Sequence, residues 1–286
     1  MRQPLATAPI YETIIMQYRC ALTIAGSDSV GGAGIQADIK TMSALGVYAA
    51  SAITAVTVQN TLGVYGIEAI RPEIVGGQIS AVMDDIHPTA VKIGMVNDAE
   101  TIHAIAKTLG RYKDVAVIID PVMVSTSGCR LMQEDALQVF RTELMPLATL
   151  LTPNVPEAEI LSGIKIETVD DMDRAANNIC REAGCAVLVK GGHLDGNTKT
   201  DILYADGQRV ETYEAQTVET RNTHGTGCTL SSAITAHLAL GNTMADAIRL
   251  AKTYLYKALE AGKDVEIGQG HGPVNHFFNP HPYYTK

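Results

Sequence analysis

In "NTHGTGCTLSSAITAHLAL" (222–240), Gly225, Thr226, Gly227 and Cys228 stand at the start of an apolar helical pattern. Successive N–H groups at a helix start make a positive pocket that favours anions and stabilises charge on transferring phosphoryl oxygens. A helix N-terminus also lowers a thiol pKa, so Cys228 can act as a base or simply orient an alcohol. The residues leave both roles open, beside the plain alternative of a packing cysteine. Lys190 ends the buried run "VLVK" and needs an anion beside it, either a phosphate or a structural carboxylate. Asp120 in "VIIDP" and Glu157 in "LLTPNVPEAEIL" are acidic groups at two strand ends, with Asn154 three residues before Glu157. Such hard oxygen donors suit Mg²⁺, which rides on substrate phosphates rather than in a full protein cage. The alternative for Glu157 is a first-turn helix residue favoured by the helix dipole.

Two further stretches suit a neutral ring. "GSDSVGGAGIQAD" (26–38) sets Gly26, Gly31, Gly32 and Gly34 ahead of a helix, so backbone can approach a ligand closely. The pattern is not G-x-G-x-x-G, no acidic residue closes the next strand at Gln59-Asn60, and no G-K-[ST] follows. A substrate wall therefore fits it better than a nucleotide phosphate loop. Asp38, one turn into that helix, either faces the pocket or is a solvated or capping aspartate. Gln59 ends the apolar run "AVTVQ", and its amide donates and accepts at once, which suits the edge of a heterocycle. A metal-type carboxylate pair, a strand-end lysine and an anion hole together point to ATP-dependent phosphoryl transfer. That reaction asks a protein mainly for positioning and charge neutralisation.

The elements that must position these groups alternate along the chain. Strand patterns occupy 20–26, 49–61, 90–94, 115–121, 148–154 and 185–192; helical patterns occupy 34–46, 72–86, 98–110, 133–145, 156–163 and 169–184. Two weaker strands, 200–205 and 208–215, flank a hairpin turn at Asp206-Gly207, and two long helices follow at about 225–240 and 243–261. This predicts an α/β fold, a mostly parallel central sheet with helices on both faces. Ligands in such sheets lie beyond the carboxyl ends of the strands. "AGSDS", "QNT", "KIGM", "DPVM", "TPNVPE" and "KGGH" all fall there.

With 286 residues, 46% hydrophobic and 19% charged, the chain can bury a large core. A net charge of −9 argues against a general nucleic-acid binder. The five cysteines are odd in number and lack C-x-x-C spacing, which suggests reduced thiols in a cytoplasmic protein. Residues 1–18 read as a tail rather than a signal peptide, no segment reads as a membrane span, and 19–286 read as one domain.

Taken in order, "ALTIAGSDSVGGAGIQADIKT", "AITAVTVQNT", "KIGMV", "DPVM", "LLTPNVPEAEIL", "VLVKGGH" and "NTHGTGCTLSSAI" resemble the bacterial hydroxymethylpyrimidine and hydroxymethylpyrimidine phosphate kinases of thiamine biosynthesis. These belong to the ribokinase-like superfamily, and the resemblance covers about residues 20–278. It implies a pyrimidine held by the loop at Gly26, by Asp38, by Gln59 against its amino edge, and by Met95 and Val122. It assigns Asp120, Asn154 and Glu157 to the magnesium and phosphate region, Asp120 and Glu157 as metal ligands, and Lys190 to neutralising phosphate. Thr226 and the Gly225–Cys228 backbone would form the anion hole, with Lys252 near the nucleotide. ATP and Mg²⁺ are the implied cofactors, and a homodimer the implied assembly. Where the superfamily's motif ends in a catalytic aspartate, this branch has Cys228, which leaves the general base open. The resemblance places the thiol toward the hydroxymethyl group. Pyridoxine or pyridoxal kinase is the nearest rival, since its substrate is also a flat ring bearing CH₂OH. A sugar kinase lacks its aspartate base here, and a non-catalytic pyrimidine-binding protein would not need the whole charged set.

Overall fold

A computed structural model describes residues 16–124, 131–192 and 197–285. Most of the expected tail, Cys129 and His193 of "KGGH" lie outside the described residues. The described strands form one nine-stranded sheet in the order β3-β2-β1-β4-β5-β6-β7-β8-β9. They are β1 Cys20–Ser27, β2 Tyr48–Asn60, β3 Gly63–Ala69, β4 Ala90–Ile93, β5 Ala116–Ile119, β6 Leu150–Leu151, β7 Ala186–Lys190, β8 Thr198–Ala205 and β9 Gln208–Gln216. β2, β1 and β4 through β7 pair in parallel, while β3, β8 and β9 are antiparallel additions at the two edges.

Helices α1 Gly34–Ala44, α7 Thr226–Ala239 and α8 Met244–Gly262 cover one face. The other carries α2 Pro72–Asp85, α3 Ala99–Leu109, α4 Ala136–Val139, α5 Val155–Ser162 and α6 Val169–Ala183. The period-2 alternation of strand side chains divides the core accordingly. In β5, Val117 and Ile119 join one hydrophobic cluster and Ile118 the other; in β7, Val187 and Val189 oppose Leu188. Burying each such side chain contributes about 1.5–3 kcal/mol. Both faces are covered, and for that reason the parallel strands read as continuous apolar runs.

Local chemistry sets several boundaries. Asp98 caps α3 by accepting from the Thr101 amide, and Gly163 and Gly184 end α5 and α6 in the left-handed conformation. Asp206 and Gly207 both have positive φ, as the two-residue hairpin turn requires. Three expectations change. β3 forms a hairpin with β2 over residues where the sequence suggests no strand. The helix at 133–145 is only one turn, α4, continued by a wider π turn at Phe140–Leu144 and a tight 3₁₀ turn at Met145–Leu147. Pro146 explains the break, because it cannot donate into a regular helix. The strand at 148–154 shrinks to Leu150–Leu151, since Pro153 and the turn into α5 follow at once.

Candidate active site

The carboxyl ends of the parallel strands open into one cavity of about 630 Å³. Its walls at one end are apolar and neutral: Gly26, Gln59, Met95, Val122 and Leu131. Asp120, Asn154, Glu157, Lys190 and the turn Gly225–Cys228 line the other. Gly26 brings backbone close there, for a Cβ on it would lie 3.0 Å from the Met95 Sδ. Thr57 donates its hydroxyl to Gln59 Oε1 at 3.2 Å, so the Gln59 amide is partly oriented before a ligand arrives.

The charged end is built from strand termini. Lys190 ends β7, and its Nζ donates to Asp120 Oδ1 at 2.7 Å, just beyond β5. Thr152 donates to the same oxygen at 3.2 Å. Burial pushes the Asp120 carboxyl up, but the Lys190 and Lys92 charges and these hydrogen bonds outweigh it and hold it below the usual range. Burial alone would lower the Lys190 ammonium pKa; Asp120 and Glu157 beside it raise it instead, so it is a fixed cation. Asn154 and Glu157 form a reciprocal capping box at the start of α5: Glu157 N–H donates to Asn154 Oδ1 at 3.0 Å, and Asn154 N–H to Glu157 Oε2 at 2.9 Å. Both readings of Glu157 hold together, since the cap also lines the cavity. Burial, helped by the Asp120 charge and opposed by Lys190, pushes its carboxyl up to about 7. A cation between Asp120 and Glu157 would relieve that repulsion, so the donors fit a divalent ion carried in on phosphates. Among the described residues no group of three or more His, Cys, Asp or Glu side chains forms a metal cage.

The Gly225–Cys228 turn depends on glycine at two places. Gly225 has φ of +78°, and a Cβ there would collide with the Gly32 carbonyl, so the turn nests against the first glycine loop. A Cβ on Gly227 would stand 3.4 Å from Asp120 Oδ2 and 3.5 Å from Lys190 Nζ, in the space between those groups. The N–H groups of Gly227 and Cys228 lie in the first turn of α7, where no intrahelical carbonyl precedes them. The Thr226 N–H turns back to the Thr223 carbonyl at 3.3 Å, so Thr226 offers its side chain more than its amide. Cys228 corrects an expectation. Burial pushes its thiol up to about 11, against the Lys92 charge and a hydrogen bond from the Gly34 amide. The helix start does not overcome desolvation, and at neutral pH the group is a thiol.

Asp38 is not in the cavity wall. It is fully enclosed, accepting from Lys92 Nζ at 2.9 and 3.1 Å, Thr23 Oγ1 at 2.6 Å and Ser232 Oγ at 2.5 Å. Its face of α1 packs on the sheet rather than toward the ligand. Lys252 is also elsewhere: its Nζ donates to Asp201 Oδ2 at 2.5 Å, and it lines a separate groove between β9 and α8. Asp201 in turn accepts from the Gly191 amide at 3.0 Å, so Lys252 braces the backbone next to Lys190.

Asp28 and His224 were not singled out from sequence, yet both line the cavity. Asp28 accepts from the amides of Val30, Gly32 and Ala33 and shapes the glycine loop. Burial pushes its carboxyl up, but the His224 hydrogen bond and those from backbone amides outweigh it and hold it below the usual range. Ionised, Asp28 only accepts, so His224 Nε2 carries the proton in their 2.8 Å contact. The aspartate turn "SDSVGG" and the histidine just before the glycine turn are the signals the sequence carries.

A doubly covered α/β sheet with a phosphate-type end and a flat apolar end defines a small-molecule kinase of the ribokinase-like fold. Residues 28–275 match the family model described as phosphomethylpyrimidine kinase, and the chain belongs to that family. It is 54% identical over 258 residues to a hydroxymethylpyrimidine/phosphomethylpyrimidine kinase of Rhizobium meliloti (strain 1021), covering 90% of this chain and 96% of the relative. The phosphomethylpyrimidine kinase of Clostridium difficile 630 superimposes with a TM-score of 0.75 at 48% identity, covering 84% of this chain and 99% of that one. A Bacillus subtilis pyridoxal kinase solved as an ADP complex superimposes with a TM-score of 0.80 at 38% identity, covering 90% and 96%.

Proposed function

We propose that this chain transfers the terminal phosphoryl group of ATP to the hydroxyl of 4-amino-5-hydroxymethyl-2-methylpyrimidine. In a second turnover it phosphorylates the resulting monophosphate, making the diphosphate used in thiamine biosynthesis. The carrying observation is the single cavity whose neutral slot at Gln59, Met95 and Val122 runs into the charged end at Lys190, Asp120 and the Gly225–Cys228 turn. A flat ring sits in the slot, and its exocyclic CH₂OH reaches the charged end.

In the first turnover the alcohol oxygen takes the phosphoryl group as the bond from phosphorus to the ADP oxygen breaks, and the hydroxyl proton leaves late, to an oxygen of the transferred phosphate and then to water. Lys190 and the Gly227 and Cys228 amides stabilise charge on the transferring oxygens. Glu157 and Asp120 would hold Mg²⁺, whose charge would neutralise the nucleotide phosphates. Cys228, as a neutral thiol, orients the acceptor rather than taking its proton in advance. Gln59 reads the amino and ring-nitrogen edge, and Asn154 fixes Glu157. Lys252 acts at a distance, through Asp201. Residues 19–286 work as one domain in the cytoplasm, where the thiols of Cys180, Cys185 and Cys228 stay reduced. The exposed apolar side chains Val56, Val58, Leu62 and Tyr65 on the β2–β3 hairpin support a homodimer.

A pyridoxal kinase is the second reading, favoured by TM-scores of 0.80 and 0.82 to pyridoxal kinases of Bacillus subtilis and Staphylococcus aureus. Those two are 38% and 31% identical, below the 54% and 48% of the pyrimidine kinases, and shape alone does not separate the substrates. The test is Mg-ATP with hydroxymethylpyrimidine, its monophosphate and pyridoxal, with products resolved by mass spectrometry. A pyrimidine diphosphate is expected; pyridoxal phosphate alone would move the assignment to vitamin B6 salvage, and no product would end the kinase reading.

A further inference from the structure

Beneath the anion-binding turn lies a sealed polar knot that the reaction does not touch. Lys92, on β4, and Asp38, on α1, are both completely buried and paired. Thr23 of β1 and Ser232 of α7 donate to the two oxygens of the same carboxylate. Four elements therefore converge on one carboxylate. Ser232 is four residues beyond Cys228, so it lies one turn along the same face of α7. Its hydroxyl is the polar tie between that helix and Asp38. A Cβ on Gly94 would stand 2.5 Å from Lys92 Nζ, so the chain leaves room for the ammonium at the end of β4.

A knot of this kind contributes little net stability, because desolvating two charges offsets their attraction. Its directional bonds do something apolar packing cannot: they fix a helix in rotation and in register. The rest of α7 faces the core with Leu230, Ala233, Ile234, Ala236 and Ala239, which set depth without directional bonds. Of its other hydroxyls, Ser231 makes only a long 3.4 Å contact to Asp120 outside the helix, and Thr229 bonds His276 on the C-terminal segment.

We propose that Asp38 and Lys92 are positioning residues for phosphoryl transfer. Acting through Ser232, they set where the Gly225–Cys228 turn stands relative to Lys190 and Asp120. This rests on the kinase reading, and deepens it by naming what aligns the anion hole. Misplacing that turn by a fraction of an ångström weakens contacts made to the transition state more than those made to the resting ring.

Ser232→Ala removes the tie and leaves the buried ion pair intact. The expected result is a folded protein whose kcat falls on the order of 10- to 100-fold for both acceptors. The pyrimidine KM stays unchanged, because Gln59 and Met95 are untouched, and Ser232→Thr recovers most of the rate. An unchanged kcat, or a loss that Ser232→Thr fails to restore, overturns the proposal. A second readout needs no turnover: carbamidomethylation of Cys228, followed site by site by peptide mass spectrometry. Ser232→Ala should change that rate by about threefold or more, since thiol reactivity follows its local field and access. Equal rates in variant and wild type overturn the proposal. If the wild type phosphorylates no acceptor, the kinase reading falls and the thiol readout alone decides the positioning role.

Discussion

Two buried lysines sit near the carboxyl ends of parallel strands separated by β5 and β6, Lys92 on β4 and Lys190 on β7, each paired with one aspartate, and they do different work. Lys190 and Asp120 keep side-chain exposures of 13% and 3% and face the cavity. Lys92 and Asp38 have none. The difference lies in where the spare hydrogen-bonding capacity points. Lys190 spends one donor on Asp120 and leaves the others aimed at the space Gly227 keeps open. Lys92 donates its hydrogen bonds to Asp38, whose remaining lone pairs are taken by Thr23 and Ser232, and it reaches Asp120 and Cys228 only through its charge. An ion pair with free donors can bind an anion; one that is saturated can only hold elements together.

Breaking the sealed pair should have the largest effect, and on stability. Lys92→Met strands the Asp38 carboxylate in the core and should cost about 3–5 kcal/mol, read as a fall in the urea midpoint. Lys92→Met combined with Asp38→Leu should recover part of that loss, but not all, because Thr23 and Ser232 lose their acceptor. A single variant as stable as wild type would mean the pair is not the fixed point described here.

The open pair should fail in the opposite way. Lys190→Ala should lower kcat by about 10²–10³-fold, roughly 2.7–4 kcal/mol of barrier, as for loss of one charge-stabilising donor. Its urea midpoint should move much less than that of Lys92→Met. Equal stability losses for the two lysines would erase the distinction.

The contrast also shows what was readable in the chain. The strand ends were legible because a polar residue after an apolar run marks the carboxyl edge, and Asp120, Glu157, Lys190 and Gln59 do line one cavity. Asp38 was misplaced for a physical reason. Asp38 falls three residues after Ile35 and four before Met42, on the stripe that packs on the sheet, but spacing does not name the partner that lets a carboxylate sit there. Lys92 stood in plain view in "KIGM", yet its partner is 54 residues away. Asp28 and His224, separated by 196 positions, posed the same difficulty. The alternation of elements fixed the parallel centre, but β3 went unread because Gly63 and Gly66 dilute its strand pattern and its partner strand supplies the pairing.

Glu157 sharpens the comparison from the cavity side. Its folded pKa of about 7 exceeds the ordinary carboxylate value through burial. The folded state therefore holds this proton more tightly than the unfolded chain does. Stability from that source is complete below about pH 4.5 and declines as pH rises through 7. Glu157→Gln cannot ionise and still accepts from the Asn154 amide, so its stability should vary less between pH 5 and pH 8. At pH 8 and without nucleotide the variant should be more stable by on the order of 2 kcal/mol, measured by urea unfolding. A parallel pH dependence in both proteins would show that Glu157 is ionised throughout.

The smallest effect expected concerns Cys228, and it discriminates between the two turnovers. The thiol, pushed up to about 11, carries no charge at the position proposed for the acceptor oxygen. Asp120 and Glu157 already place carboxyl groups at that end of the cavity. A third, introduced by Cys228→Asp, would stand beside a neutral hydroxyl in the first transfer but beside a phosphate in the second. Like charges at short range disfavour the second case selectively. The ratio of kcat/KM for the alcohol to that for the monophosphate should therefore rise about tenfold, near 1.4 kcal/mol. Cys228→Ser, neutral and of similar size, should leave the ratio near its wild-type value even if both rates fall. If Cys228→Asp slowed the two transfers equally, the neutral thiol would not be what lets one site accept both an alcohol and an anion.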